Sequence, residues 1–208
     1  MNKYNTQQEN FWAGEFGNEY VSRSQGEEII NSNIDFFKKA LKKTNGIDTC
    51  IELGSNIGLN IRALKKIYPK QEHHVIEINE KAVSYLKEFI SEDKIINDSI
   101  INFKPFQKWD LVLIKGVLIH VNPDLLEEVY TKLHNATDKY ILIAEYYNRT
   151  PTAVEYRGFS ERLFKRDFCG EIMDKFSDLK LIDYGFCYHR DNNFPQDDIS
   201  WFLLKKDK

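Results

Sequence analysis

Short apolar runs alternate with amphipathic segments through most of the chain. Apolar runs bounded by turn residues predict strands, and apolar residues three to four apart predict helices with one buried face. The most hydrophobic run, residues 109–120, predicts a central strand that is buried on both faces. The other predicted strands span residues 49–53, 73–79, 94–99, 140–144, 179–188 and 199–204, and the main predicted helices between them span residues 58–68, 82–89 and 122–133. This alternation predicts an α/β fold.

The first predicted strand ends in a turn at residues 54–58 that contains two glycines, and a helix follows directly. The order of strand, glycine loop and helix is typical of nucleotide-type binding sites, because glycine lets a ligand lie against the backbone. A dinucleotide fingerprint would need glycine where Asn56 and Leu59 stand, and no phosphate loop of the Gly-Lys-Ser/Thr kind is present. The loop spacing therefore disfavours a nicotinamide oxidoreductase.

Two acidic residues stand at the ends of successive predicted strands. Glu52 precedes Gly54 by two residues, and Glu77 lies 19 residues beyond Gly58. An acid in the place of Glu77 can accept both ribose hydroxyls of an adenosine, and Glu52 can offer charge to a ligand ammonium. The alternatives are that Glu52 caps nearby amides and that Glu77 is an ordinary acid at a helix N-terminus.

The segment from Glu52 to Gly58, in which Gly54, Asn56 and Gly58 alternate after the acid, resembles the first motif of the class I S-adenosylmethionine-dependent methyltransferases. Asn56 departs from the glycine of that motif, but asparagine tolerates a left-handed backbone better than most residues do. The resemblance covers roughly residues 45–208. It implies a three-layer, Rossmann-like methyltransferase fold with a seven-stranded, mostly parallel sheet whose last strand is antiparallel.

The same resemblance implies S-adenosyl-L-methionine as the cofactor. We expect it to be contacted by Glu52, Gly54, Ser55, Asn56, Gly58, Glu77, Ile78, Asp98, Ser99, Lys115, Tyr20 and Arg23.

Residues 8–20, 115–120 and 197–202 together look like the pseudaminic acid biosynthesis-associated methylases. This narrower resemblance implies an acceptor of sugar type, such as a nonulosonic-acid or surface-glycan intermediate, methylated on oxygen or nitrogen. His120 is the candidate general base, with packing as its alternative role. The predicted substrate-contacting residues are Trp12, Tyr146, Tyr147 and Arg157. A methyltransferase for another small molecule and a non-catalytic binding protein of the same fold are the alternative functions.

An aromatic segment precedes the predicted core. Trp12, Phe16 and Tyr20 recur at a spacing of four residues, which places their rings on one helical face, although Gly14 and Gly17 weaken that helix. The segment is either a lid that closes over a bound ligand or core that packs on the sheet.

The chain is expected to form one methyltransferase domain. Residues 1–44 would form an N-terminal helical lid or cap, and residues 45–208 the cofactor-binding core. Residues 24–27 have the spacing of a capping box and introduce a helix. The predicted buried face of that helix carries Ile30, Ile34, Phe37 and Leu41.

Two polar segments follow the strand at residues 140–144. Residues 149–160 contain a proline and a glycine and are predicted to form a substrate-facing loop. Residues 189–198 are rich in aspartate, which is most often found in solvated turns. Between the two segments, Asp167 is predicted to cap a helix.

Charge and composition limit the partners. The 208 residues include 42% apolar and 13% aromatic residues, and 29 Lys and Arg residues are scattered among 32 acids for a net charge of −3. Because the basic residues form no stripe, nucleic acid is a poor partner and a small molecule is favoured. No run of the sequence reaches the length of a membrane span, and the oligomeric state is not predicted.

Cysteine and histidine usage favours neither a disulfide framework nor a metal site. Cys50, Cys169 and Cys187 are widely spaced and odd in number, as in reduced cytosolic proteins, and no apolar signal region opens the chain. The cytoplasm is therefore the expected location. His73 and His74 are consecutive on a predicted strand, so they point to opposite faces and cannot bind one metal together.

Overall fold

A computed structural model of the protein describes residues 4–23 and 26–207. Its strands are β1 (Thr49–Leu53), β2 (Glu72–Ile76), β3 (Ile95–Ile96), β4 (Trp109–Lys115), β5 (Thr137–Glu145), β6 (Thr152–Tyr156), β7 (Phe159–Lys165), β8 (Leu179–Phe186) and β9 (Ser200–Lys206). Its α-helices are α1 (Gln7–Ala13), α2 (Glu15–Arg23), α3 (Glu27–Ala40), α4 (Leu59–Ile67), α5 (Glu80–Leu86), α6 (Leu126–Ala136) and α7 (Phe168–Lys175).

Within the described residues, seven strands form one sheet in the order β3-β2-β1-β4-β5-β9-β8. Strands β1 to β5 pair in parallel, and β9 inserts antiparallel between β5 and β8. Helices α3, α4 and α5 contribute to the hydrophobic cluster on one face, and α6 and α7 contribute to the cluster on the other. The predicted three-layer fold with an antiparallel last strand is therefore confirmed.

Strand β4 lies at the centre of the sheet. Leu111 and Leu113 pack in the α3–α5 layer, Val112 and Ile114 pack in the α6–α7 layer, and all four are fully buried. This explains the nearly continuous apolar run, because both faces of the strand are covered.

The strand predicted over residues 109–120 is too long. It ends at Lys115 because Gly116 adopts a φ of +68°, which is left-handed and incompatible with a strand. Residues Leu118–His120 then form a short 3₁₀ turn. This turn leaves His120 beyond the edge of the sheet instead of within it.

The prediction of a polar loop at residues 149–160 is wrong. Strands β6 and β7 pair as an antiparallel hairpin whose two-residue turn is Arg157-Gly158. Val154 and Tyr156 pack towards the α6–α7 layer, whereas Ala153 and Glu155 between and beside them are exposed. This is the alternation of a strand with one buried face, and the Arg-Gly turn lacks the Asn-Gly signature that marks such hairpins.

Gly14 divides the predicted aromatic helix into α1 and α2. The expected stripe still forms, because the ring centroid of Trp12 lies 5.4 Å from that of Phe16 and 5.3 Å from that of Tyr20. Gly17 does not interrupt α2. A Cβ atom there would lie 1.9 Å from the carbonyl oxygen of Trp12, so the close approach of the two helices requires glycine.

Helix α3 begins at Glu27 and buries Ile30 and Phe37, as the apolar spacing predicts, while the adjoining Leu41 is also buried. Residues 24 and 25 of the predicted capping box lie outside the described residues. In the part of the chain that the structure describes, every helix is too short or too polar to cross a lipid bilayer.

Candidate functional site

A cavity of about 630 Å³ lies at the carboxyl ends of β1, β2 and β4. The glycine loop after β1 forms its floor, and α1, α2, the tip of the β6–β7 hairpin and part of residues 189–198 line its other sides. The sheet order reverses between β1 and β4, and such switch points are where open α/β sheets bind ligands.

The glycine loop approaches its neighbours closely. Gly54, Asn56 and Gly58 have φ values of 78°, 48° and 78°. A Cβ atom on Gly54 would lie 2.6 Å from Val117, and one on Gly58 would lie 2.5 Å from the ring of Phe89. Asn56 therefore occupies the left-handed position without glycine, and the two glycines are required by both conformation and space.

The carboxylate of Glu77 lies next to this loop. Its Oε2 accepts a hydrogen bond from the backbone N–H of Asn56 at 2.6 Å, and its Oε1 accepts one from Asn79 at 2.8 Å. Burial raises the pKa of Glu77, while these backbone donors oppose the rise. Each oxygen keeps a second lone pair, so the carboxylate can still accept hydrogen bonds from a ligand in the cavity.

Glu52 lies behind the loop instead of on the cavity wall. Its side chain is fully buried, and Oε1 accepts a hydrogen bond at 2.6 Å from Nδ2 of Asn60, which does line the cavity. Its Oε2 has no hydrogen-bond partner among the described residues. Burial raises the pKa of Glu52 to about 7.

Lys115 lines the cavity at the end of β4. Its ammonium forms no ion pair within 4.0 Å among the described residues and lies 5.6 Å from the centroid of the Phe36 ring. Burial lowers the pKa of Lys115, and the nearby charge of Glu52 opposes this. The cavity thus places a free ammonium near a carboxylate that has one unpaired oxygen.

Asp98 and Ser99 line the cavity after β3. Asp98 Oδ1 accepts hydrogen bonds from the backbone N–H of Ser99 at 2.7 Å and from Nδ2 of Asn102 at 2.9 Å. Ile100 and Ile101 follow and add apolar surface to the same wall. This mixture of polar edge and apolar surface suits a planar aromatic base.

His120 is held at two points. The turn before it is fixed by Glu145, whose Oε1 accepts hydrogen bonds from the backbone N–H groups of Val117 and Leu118, both at 2.9 Å. The ring nitrogen Nδ1 lies 2.6 Å from the carbonyl oxygen of Arg162. Because a carbonyl only accepts, Nδ1 carries the hydrogen, and Nε2 of the neutral ring has a free lone pair. Burial lowers the pKa of His120 to about 4, so the ring is neutral near pH 7.

Aromatic rings surround His120. The centroid of its ring lies 4.6 Å from that of Trp12 and 5.0 Å from that of Tyr156. Helix α1 and the hairpin are also joined directly, because Gln8 Nε2 donates to the carbonyl oxygen of Glu161 at 3.1 Å and Phe11 packs against Phe159. We call α1, α2 and the β6–β7 hairpin the roof of the cavity.

The structure brings most of the predicted site residues to one cavity. Of the predicted cofactor residues, Glu52 and Gly58 do not line it and all the others do. Trp12, Arg157 and His120 also line it.

Two of the predicted substrate residues lie away from the cavity wall. Tyr146 is partly buried, and burial together with the neighbouring Asp197 raises the pKa of its hydroxyl. Tyr147 is 43% exposed and packs against Phe202, with ring centroids 6.0 Å apart. Asp197, in a segment interpreted from sequence as a solvated turn, does line the cavity.

Asn79, Asn60 and Glu145 contribute to the site but were not predicted from the sequence. Asn79 caps α5 by accepting a hydrogen bond from Ala82 N–H, and its Nδ2 donates to the carbonyl oxygen of Trp12 at 3.1 Å. It therefore joins the start of α5 to the roof. An asparagine three residues before a predicted helix was a usable capping signal, whereas the contacts of Glu145 depend on strand pairing.

Among the described residues, no group of three or more His, Cys, Asp or Glu side chains is arranged to bind a metal ion. His73 and His74 lie on β2, away from the cavity. His74 Nδ1 accepts a hydrogen bond from Trp109 Nε1 at 3.1 Å, and burial lowers the pKa of His73 to about 4.

No protein-family model matches the chain, and a search of curated proteins finds no match. Solved structures do resemble it. A methyltransferase from Leishmania major that depends on S-adenosylmethionine is 14% identical, with 97% of this chain and 87% of that chain covered and a TM-score of 0.69. Magnesium protoporphyrin IX methyltransferase from Synechocystis, with bound S-adenosylmethionine, is 12% identical, with coverage of 99% and 100% and a TM-score of 0.65.

A further S-adenosylmethionine-dependent methyltransferase, from Clostridium acetobutylicum, is also 12% identical, with coverage of 93% and 98% and a TM-score of 0.62. At such low identities the similarity shows the fold alone. The chain has the fold of the class I methyltransferases over nearly its full length, in agreement with the fold predicted from the residues around Gly54.

Proposed function

We propose that the protein is an S-adenosylmethionine-dependent methyltransferase that acts on a hydroxyl or amine of a small, sugar-type acceptor. The observation that carries the proposal is the carboxylate of Glu77, which two backbone amides hold beside the glycine loop at the wall of the cavity. This arrangement fits an adenosine whose ribose hydroxyls donate to Glu77. The methyltransferase fold and the bound cofactor of the Synechocystis protein support the same ligand.

The remaining polar groups suit the other parts of the cofactor. From behind the loop, the charge of Glu52 can attract the methionyl ammonium through water, and Lys115 on the cavity wall can receive the methionyl carboxylate. Asp98 and Ser99 lie beside apolar Ile100 and Ile101, as an adenine would require. The backbone of Gly54, Ser55 and Asn56 leaves room for the chain between ribose and sulfur, and Ile78, Tyr20 and Arg23 line the adjoining walls.

The bound cofactor would supply an activated methyl group on sulfur. The protein then has to align the acceptor, exclude water and accept a proton. Nε2 of His120 can take the proton of an acceptor O–H or N–H as that atom attacks, and the Nδ1–H donated to Arg162 fixes the ring in the required tautomer. Trp12 and Tyr156 pack around His120 and would keep water from the reacting atoms.

The cofactor assignment is tested by calorimetric titration with S-adenosylhomocysteine. We expect binding by the wild-type protein and a loss of about 2 kcal/mol, or more than tenfold in affinity, for Glu77→Ala. NAD should not bind. Unchanged affinity in Glu77→Ala would remove the assignment of Glu77, and binding of NAD instead would favour the oxidoreductase alternative.

The catalytic role is tested by transfer of a labelled methyl group to nucleotide sugars, nonulosonic acids and glycan extracts. His120→Asn keeps a side-chain N–H that can donate to Arg162 but lacks a basic nitrogen in the place of Nε2. We expect a loss of turnover of about a hundredfold, at the low end for general bases because the pKa of His120 is low, with cofactor affinity nearly unchanged.

If the His120→Asn protein is fully active, the methyltransferase proposal remains, but water or another group must accept the proton. Cofactor binding without any transfer would favour the non-catalytic alternative. Label in protein or RNA fractions alone would overturn the acceptor class.

A further inference from the structure

Arg157 is a cation of the cavity wall that lacks an acidic partner. It is exposed, lines the cavity and forms no ion pair with any acid among the described residues. By contrast, Arg23 pairs with Glu19 at 2.9 Å. Lys115 also forms no ion pair, but it lies at the carboxyl end of the central strand β4 near Glu52, on the side proposed for the cofactor. Arg157 therefore has a positive charge that no described group neutralises by contact.

The backbone around Arg157 does not explain the choice of arginine. Arg157 and Gly158 form the two-residue hairpin turn with φ values of 52° and 85°. Such a turn requires positive φ at both positions and favours asparagine or glycine at the first. Arginine is strained there, and its guanidinium carbon lies 5.7 Å from the centroid of the neighbouring Tyr156 ring. Arginine is therefore unfavourable for the conformation of the turn, whereas its side chain lines the cavity.

The position of Tyr156 relates Arg157 to the proposed reaction centre. The Tyr156 ring packs against His120, with centroids 5.0 Å apart, and against Phe16 of the roof, 5.9 Å away. His120 and Arg157 both line the cavity, so a small acceptor whose reacting atom meets Nε2 of His120 would have Arg157 on the wall of the same cavity. Among the described residues, four acids line the cavity: Glu9, Glu77 and Asp98 accept hydrogen bonds from backbone N–H groups, and Asp197 lies beside the hydroxyl of Tyr146.

We propose that Arg157 binds an anionic group of the acceptor, either the carboxylate of an acidic sugar or a phosphate of a nucleotide-linked sugar. This inference rests on the proposed function and narrows its substrate class. The planar guanidinium presents paired N–H donors that match the oxygens of a carboxylate or a phosphate. A neutral sugar would offer the guanidinium no anionic partner.

The test uses two pairs of probes that differ in charge. N-acetylneuraminate is compared with its uncharged methyl ester, and UDP-N-acetylglucosamine is compared with free N-acetylglucosamine, each titrated into protein saturated with S-adenosylhomocysteine. We expect one anionic probe to bind more tightly than its neutral counterpart, and the pair in which this occurs identifies the source of the anion.

Arg157→Asn is the informative variant because asparagine suits the turn. We expect it to keep or raise the unfolding temperature and the affinity for S-adenosylhomocysteine while weakening the anionic probe about tenfold. Arg157→Lys keeps the positive charge but not the planar guanidinium, and it should lose less affinity for the anionic probe than Arg157→Asn does. Arg149→Gln removes the same charge from an exposed arginine that does not line the cavity, and it should change neither affinity.

Several outcomes would overturn the inference. These are equal binding within both probe pairs, no binding of either anionic probe at millimolar concentration, or unchanged affinity for the anionic probe in Arg157→Asn. Loss of S-adenosylhomocysteine binding in that variant would move Arg157 to the cofactor and also overturn it. If S-adenosylhomocysteine does not bind the wild-type protein, the proposed function fails instead, and the probe pairs can still be compared in its absence.

Discussion

The carboxylate of Glu52 is buried without a hydrogen-bond partner for Oε2, so it destabilises the ligand-free protein when it is ionised. Burial raises its pKa to about 7, above the ordinary value of 4.5. The folded state therefore holds this proton more tightly than the unfolded state does. The destabilisation is largely absent near pH 4.5 and fully present above pH 7. A residue whose role is to stabilise the fold would not lower the stability of the protein as the pH rises from 4.5 to 7.

We expect Glu52→Gln to make the ligand-free protein relatively more stable at pH 8 than at pH 5. The change in the free energy of unfolding caused by the substitution should differ between the two pH values by something on the order of 2 kcal/mol. The substitution removes a buried ionised carboxylate at pH 8, whereas at pH 5 it replaces a carboxyl group that is already protonated in the folded protein. The same variant should lose at least about tenfold in affinity for S-adenosylhomocysteine, since it no longer offers charge to the ammonium. Urea unfolding at both pH values and calorimetry measure these effects.

Glu28→Gln on the exposed surface of α3 is the matched control, because it makes the same chemical change without burial. The interpretation of Glu52 as a simple cap for nearby groups makes the opposite expectation. A Glu52→Gln protein with the same relative stability at pH 5 and pH 8 and with unchanged affinity would support that alternative.

The sequence allowed the strand-end acids to be predicted but not all of their surroundings. Glu52 and Glu77 follow apolar runs and flank glycines that are close in sequence, so local pattern is sufficient to single them out. Glu145 holds the turn before His120 across 28 and 27 residues of sequence, and that contact exists only because β4 and β5 pair in one register. No local pattern carries this information.

At the scale of elements, Gly17 joins the roof to the rest of the molecule by close packing. A Cβ atom there would lie 1.9 Å from the Trp12 carbonyl oxygen and 2.8 Å from Nδ2 of Asn79. Helix propensity alone would make Gly17→Ala stabilising by roughly 1 kcal/mol. Steric overlap with backbone is the larger effect, because the carbonyl cannot move without displacing α1.

We therefore expect Gly17→Ala to destabilise the protein by about 1–3 kcal/mol. It should also weaken S-adenosylhomocysteine binding, because Asn79 adjoins both the roof and Glu77. Chemical unfolding and calorimetry check the two effects. The sign of the stability change decides the matter, since a more stable variant would mean that α1 and α2 can separate without loss and that Gly17 is only a weak point of the helix.

The hairpin shows why the secondary structure of this segment was predicted wrongly, although Arg157 within it was singled out from the sequence. The segment that became β6 reads as polar, because only alternate residues such as Val154 and Tyr156 face the core and most of the others are exposed. Its turn is Arg-Gly, and the favoured signal for a two-residue hairpin turn is Asn-Gly or Asp-Gly. The buried strands β1, β4 and β5 were predictable because burial on both faces leaves a continuous apolar run.

At the scale of the whole molecule, the predicted lid is part of a larger unit. Gln8 donates to the carbonyl oxygen of Glu161, Arg162 donates to Oε1 of Gln7 at 3.1 Å, and Phe11 packs against Phe159. These contacts join α1 to β7 across more than 140 residues of sequence. If the roof closes over a ligand, α1, α2 and the hairpin should respond together, because a movement of one would break contacts with the other.

We expect S-adenosylhomocysteine to slow amide hydrogen exchange in residues 7–23 and in the hairpin, residues 152–165, by similar factors. Binding to the closed form alone lowers the population of the open form, and it does so equally for every segment that opens in the same event. Helix α7 belongs to the core layer and does not line the cavity, so it is the internal control: its exchange should change only as far as global stability does. Arg162→Gln removes the guanidinium that donates to Gln7 and should make the protection of the two segments unequal.

Protection of residues 7–23 without protection of the hairpin would mean that the aromatic segment acts as a lid by itself. No change in either segment while the glycine loop is protected would mean that the roof does not move on binding.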